Sequence, residues 1–237
     1  MALDEVKALT FDVFGTVVDW RSSIIREGEA FGQKHRLTVD WGAFADRWRA
    51  LYQPSMEEVR SGKRGWTKLD DLHRQSLGKV ATEFGLGRVV AGDLDEFNRA
   101  WHRLEPWPDS VPGLTRLKRK YILATLSNGN VALLVNMARR AGLPWDAILG
   151  AEVTRLYKPQ PGCYLGTAAL LGLKPAECAL VAAHNNDLAV ARGLGFHTVF
   201  VARPTEHGPG QTKDLTAEHD WDVVARDFLD LAARLGC

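Results

Sequence analysis

Cysteine is scarce in this sequence and is never paired by spacing. Three occur in 237 residues, Cys163, Cys178 and Cys237. An odd number with no C-x-x-C excludes a disulfide framework and a zinc site from the expectation, and fits a reducing compartment. Long hydrophobic runs are missing too: none approaches the roughly eighteen residues that a membrane helix needs. Asp4 and Glu5 stand where a signal peptide would carry Lys and Arg. A soluble, cytoplasmic protein is therefore expected. Neither sign of charge is in excess, with 30 Lys and Arg against 29 Asp and Glu and a net charge of +1. The basic residues are dispersed, which removes the electrostatic footprint for nucleic acid or a lipid surface. The expected partner is a small molecule, and a homodimer is left open.

What is present is a globular composition, 46% apolar and 25% charged. Four apolar runs, "VKALTFDVF", "YILATLSN", "CALVAAHN" and "HTVFVAR", end in polar residues or turns. They read as buried strands, with "AILGAEV" as a fifth. Stretches of helical spacing lie between them, such as Val131 to Ala141 and Gly162 to Leu171. The alternation predicts an α/β fold with a doubly wound parallel sheet, whose ligands bind beyond the carboxyl ends of the strands. "EHGPGQTKD" reads as a surface loop before a last helix ending near Leu235.

Residues 18–106 lack strand runs and carry helical patterns, notably "WGAFADRWRALYQPSMEEVR" and "LDDLHRQSLGKVATEFG". This reads as a helical insert. "EPWPDSVPG" reads as the linker back to the core, because Pro106, Pro108, Pro112 and Gly113 disfavour helix. Trp20, Trp41, Trp48, Trp66, Trp101 and Trp107 lie in or beside the insert. They build either its core or an aromatic wall over a pocket, where a dry environment strengthens electrostatic interactions.

Polar residues collect where the strands stop: Asp12 and Thr16, Ser127 and Asn128, Lys158, and His184 with Asp187. A single polar residue there is ordinarily a turn or a helix cap. In a parallel sheet, however, these ends share one edge, so the groups are expected to converge. A buried Asp12 beside Lys158 remains ionised, because an opposite charge offsets desolvation. That makes a carboxylate nucleophile.

The motifs "FDVFGT", "LSNG", "YKPQPGCY" and "VAAHNNDLAVARGLGF", in that order, resemble those of the haloacid dehalogenase (HAD) superfamily over nearly the whole chain. The resemblance implies a Rossmann-like core over residues 1–17 and 107–237 and a helical cap domain over 18–106. It makes Asp12 the nucleophile, Lys158 its neighbouring cation and Asp187 the acid of the fourth motif, with Thr16, Ser127 and Asn128 binding or orienting. The superfamily's phosphatases resemble D-x-D-x-T, in which the second Asp protonates a leaving alcohol. Here that place is Phe14, which has no proton to give. A halide leaves without one, so the missing acid points to carbon–halogen cleavage.

Two details resemble the type II 2-haloacid dehalogenase branch: "DRWRALYQ", which would bring Arg49 over the site, and Tyr164 at the branch's distance from Lys158. A guanidinium can grip a carboxylate or a departing halide. Motif four departs from the branch's Ser-Ser-Asn-x-x-Asp: Ala182, Ala183 and His184 precede Asn185, Asn186 and Asp187. This resembles a divergent subgroup, with small haloacetates, including fluoroacetate, as expected substrates. The implied activity is hydrolysis of short 2-haloalkanoic acids through an aspartyl ester, with water and halide as the other reactants and products. Asp187 or His184 would activate the water, and no metal or other cofactor is expected. The alternatives are a phosphatase with a different general acid and an inactive binding module.

Overall fold

The computed structural model describes residues 3–87 and 89–237. Met1 and Ala2, in the expected core, and Arg88, in the expected helical insert, lie outside them. In chain order the elements are β1 (Ala8–Phe11), β2 (Val18–Asp19), α1 (Trp20–His35), α2 (Trp41–Ala50), α3 (Tyr52–Arg60), α4 (Leu69–Glu83), α5 (Ala91–Asn98) and β3 (Glu105–Pro106). There follow α6 (Ser110–Leu117), β4 (Ile122–Ser127), α7 (Val131–Ala141), β5 (Ala147–Gly150), α8 (Ala151–Thr154), α9 (Pro161–Leu170) and β6 (Cys178–Ala182). The chain closes with α10 (Asn185–Gly193), β7 (His197–Val201), β8 (Val223–Ala225) and α11 (Phe228–Arg234).

Six strands form one sheet in the order β5-β4-β1-β6-β7-β8, every pairing parallel. This is the expected doubly wound α/β fold. Its central strands β1 and β6 are buried at every position, which is why they read as unbroken apolar runs and not as alternations. The pleat sends alternate residues to opposite faces. Ala179 and Val181 join a core with Leu114, Leu133, Met137 and Phe228 of α6, α7 and α11. Leu180 and Ala182 join a second core with Tyr164, Ala168, Leu188 and Ala191 of α9 and α10.

The expected strands all occur, but the sequence reading missed β8, a three-residue edge strand, and the two-residue strands β2 and β3 at the ends of the segment read as wholly helical. "AILGAEV" is a strand only as far as Gly150, after which α8 begins. The expected linker is also corrected. Pro112 and Gly113 lie in the first turn of α6, where the missing proline N–H would have had no partner inside the helix. Gly113 is required by packing, because a Cβ there would run into the Phe228 backbone.

Helices α1 to α5 cover residues 20–98, and β2 and β3 bracket them as an antiparallel ribbon. Asp19 and Asp40 cap α1 and α2, accepting from Ser22 N at 3.0 Å and Ala43 N at 2.9 Å. The single pattern over 41–60 is broken into α2 and α3 at Leu51. Pro54 lacks the N–H that a continuous helix would direct to Ala50. Trp41, Trp48 and Trp101 pack with Phe31, Phe44 and Phe97 inside this layer. Trp66 instead stacks on Tyr157, and Trp107 donates to Gly15 O at 2.8 Å.

His73 is sealed in the same layer, its ring stacked 4.3 Å from Trp101, and neither ring nitrogen has a hydrogen-bond partner. Burial lowers its pKa from 6.5 to about 3, although Asp70 acts the other way; Arg49 and His102 add to the fall. The unfolded chain therefore binds a proton between these values that the folded chain refuses. Stability from this residue is present above pH 6.5 and drains as pH falls towards 3, by up to about 1.4 kcal/mol per unit. Denaturant unfolding of the wild type should accordingly lose free energy from pH 6.5 to 4.5 faster than that of His73→Phe. Parallel slopes would show that the ring is not held neutral.

Candidate active site

Because β1 lies between β4 and β6, their carboxyl ends deliver Asp12, Asn128 and His184 to one edge of the sheet. Asp187 follows in the first turn of α10, and Lys158 comes from the segment before α9. Asn128 Oδ1 accepts from Lys158 N at 2.8 Å, and Arg60 Nη1 of α3 donates to Lys158 O at 3.0 Å. Both ends of that peptide unit are thus held. The turn after Asp12 passes through Gly15 at φ +91°, where a Cβ would collide with the Glu206 carboxylate.

Asp12 and Lys158 are each 7% exposed, so each needs the other. Lys158 Nζ sits 2.8 Å from Asp12 Oδ1 and 2.5 Å from Asp187 Oδ2. Tyr164 donates to the remaining Asp187 oxygen at 2.5 Å. The other Asp12 oxygen, Oδ2, accepts from Thr16 Oγ1 at 2.7 Å and faces His184 Nδ1 at 3.2 Å. Burial alone would raise the pKa of Asp12, but Lys158 and then His184 hold it well below the usual carboxylate range. Burial pulls Lys158 down, yet Asp12 and Asp187 keep it above the usual lysine value. The pair stays charged.

His184 is gripped from both sides, because its Nε2 lies 2.8 Å from Glu206 Oε2. Glu206 is 1% exposed and also accepts from Trp20 Nε1 at 3.0 Å. Against the cost of burial, Glu206 and Asp12 raise the imidazole pKa well above its ordinary value. A carboxylate stands at each ring nitrogen, an arrangement that favours the doubly protonated ring.

Arg49, at the end of α2, lies over Tyr52 at 4.0 Å from the ring centroid, with Trp20 at 5.2 Å and Phe14 at 5.9 Å. Its Nη1 is buried without a hydrogen-bond partner. A desolvated guanidinium N–H against an aromatic wall can receive an anion. Phe14 is 2% exposed and packs edge-on against Tyr52 and Trp101. The position two residues beyond Asp12 is therefore part of the apolar wall.

These groups border a cavity of about 810 Å³, lined among others by Asp12, Arg49, Asn128, Lys158, Tyr164, His184 and Asp187. Two of the residues singled out in the sequence do not line it. Thr16 stands behind Asp12, accepting from Ala183 N at 2.9 Å, and the Ser127 hydroxyl accepts from Gly129 N at 3.1 Å. Of the six tryptophans in or beside the helical layer, only Trp20 borders it. The sequence reading missed Tyr52 and Glu206. Glu206 belongs to the segment read as a surface loop, and its place after β7, on the edge that carries Asp12, was the available signal.

A family model of haloacid dehalogenase-like hydrolases matches residues 6–195. The chain is 29% identical to (S)-2-haloacid dehalogenase 4A of Burkholderia cepacia over 97% of its own length and 100% of that protein's. The crystal structure of a defluorinating L-2-haloacid dehalogenase superimposes with a TM-score of 0.95 at 52% identity, covering 98% of this chain and 96% of that one. A second L-2-haloacid dehalogenase structure gives 0.95 at 51% identity, covering 98% and 99%. With the parallel sheet, the buried Asp12–Lys158–Asp187 cluster and a family match over most of its length, the chain belongs to the haloacid dehalogenase-like hydrolases.

Proposed function

We propose that the protein hydrolyses the carbon–halogen bond of short 2-haloalkanoic acids, haloacetates and fluoroacetate among them. The observation that carries this reading is one cavity lined by the buried Asp12 carboxylate and by Arg49, whose Nη1 has no hydrogen-bond partner, with Phe14 where a proton donor would stand. Residues 18–106 act as a cap over a core of 1–17 and 107–237. The relatives that act on 2-haloacids, one of them defluorinating, support the substrate class.

In the first step, Asp12 attacks the halogen-bearing carbon, the C–X pair leaves with the halide, and an aspartyl ester remains. Arg49 and Asn128 hold the substrate carboxylate or the departing halide. Tyr164 and Lys158 keep Asp187 in place. In the second step, water attacks the Asp12 carbonyl carbon. Of the two candidates for activating that water, His184 is held at Nε2 by Glu206, which keeps its charge in the ester; Asp187 takes the role. The free, mostly buried cysteines suit a cytoplasmic setting.

Purified protein should release halide from chloroacetate, measured by ion electrode or chromatography, and Asp12→Asn should reduce release to background because an amide is a poor nucleophile. Release should persist in EDTA. No release from any two- to four-carbon 2-haloacid would overturn the reading, and loss in EDTA restored by Mg²⁺ would favour a phosphatase.

Arg49→Lys should lower kcat/KM for chloroacetate roughly ten- to a hundredfold, about 1.5–3 kcal/mol, because a point ammonium cannot reproduce the planar donor fork. Unchanged steady-state kinetics would remove Arg49 from the substrate site.

A further inference from the structure

The two oxygens of Asp12 are not equivalent. Oδ1 meets one donor, Lys158 Nζ, and keeps a lone pair for an incoming carbon. Oδ2 meets two, accepting from the Thr16 hydroxyl at 2.7 Å and facing His184 Nδ1 at 3.2 Å. Resting on the reading of this site as a dehalogenase, Oδ1 is the attacking oxygen and Oδ2 becomes the carbonyl oxygen of the ester. We propose that Glu206 is a positioning residue that holds His184 as an imidazolium, whose Nδ1–H and the Thr16 hydroxyl stabilise the oxyanion formed on Oδ2 when water opens that ester.

The second step then balances. The water oxygen bonds to the Asp12 carbonyl carbon, its proton passes to Asp187, and the π pair moves onto Oδ2 between two fixed donors. Collapse breaks the bond between that carbon and Oδ1. The departing alkoxide takes a proton from the Lys158 ammonium, which is restored from Asp187 across their 2.5 Å contact. The regenerated Asp12 carboxyl loses its proton to solvent. Donors placed where charge develops act on this step more than on the first, in which Asp12 loses negative charge.

The surroundings explain why Glu206 is required. Asp12 faces His184 Nδ1 from the end of β1, but its charge disappears on esterification. From the loop after β7, Glu206 faces Nε2; His207 lies 3.5 Å from the other Glu206 oxygen and in the field of Asp214, and Arg49 of α2 acts on Glu206 and His207. In the ester, Glu206 is therefore the remaining carboxylate on the ring. Trp20 Nε1 and the bare Cα of Gly15 fix where it stands.

The test separates the two steps in Glu206→Gln with chloroacetate. A halide burst approaching one per active site should persist within a few-fold of the wild-type first step. Ester hydrolysis should slow on the order of tenfold to a hundredfold at pH 8, and intact mass should show the carboxymethyl adduct. The deficit should shrink as pH is lowered and the ring regains its proton, a recovery that a structural role would not produce. Should the variant fold poorly, nitrogen NMR of the wild type decides: the His184 signals, identified by their loss in His184→Asn, should show both nitrogens protonated at pH 8. A neutral ring there overturns the proposal, as does an unchanged pH profile of ester hydrolysis or a burst lost in proportion to turnover. Absence of halide release from the wild type would instead overturn the dehalogenase reading on which the proposal rests.

Discussion

An ammonium enclosed by two carboxylates is the constraint on which the site depends. Lys158 lies between Asp12 and Asp187, and all three side chains are buried. Removing one partner of a buried ion pair typically costs about 3–5 kcal/mol, because the other is left charged and unsolvated. The fold resists that loss by holding both ends of the Lys158 peptide unit. It holds the second carboxylate through the Tyr164 hydroxyl. Sheet order places the strand that ends at Asp12 between its neighbours, and Lys158 supplies the charge that its carboxylate needs there.

Among the charged groups that line the cavity, Asp12, Asp187 and Glu206 stand close to Lys158, His184 and Arg49. Placing opposite charges together eases the conflict between burial and reactivity. The cations differ in availability. Lys158 and His184 are committed to carboxylates, whereas Arg49 leans on aromatic rings that satisfy its face and leave an edge free. The guanidinium is thus the group suited to an arriving anion.

The sheet was legible because its strands are buried on both faces, so burial and sequence carry the same signal. The edge strand β8 was not, since three residues, of which only Ala225 is buried, contain too little pattern. Asp12, Lys158, His184 and Asp187 were visible as polar residues ending apolar runs, a mark left by local chain geometry. Glu206 left only a faint mark, its place in the loop after β7. Its burial results from long-range contacts with Trp20, His184 and the Cα of Gly15, and no local spacing encodes them. Ser127 shows the opposite failing: it ends a strand as Asn128 nearly does, but one residue of pleat turns its hydroxyl to the backbone of Gly129.

The ribbon of β2 and β3 has an architectural consequence. Asp19 and Glu105 are paired neighbours, so the chain leaves the sheet for the helical layer and returns at almost the same point. To the sheet, that whole excursion resembles a hairpin loop. Closing a loop costs free energy only logarithmically in its length, about 0.6 kcal/mol per doubling. Changes of length beyond the ribbon therefore add little closure cost to the sheet. The exceptions are the residues of the helical layer that reach down to the charged floor, Arg60 to Lys158 O and Trp20 to Glu206, so the chamber above Asp12 can vary only where those two anchors stay in place.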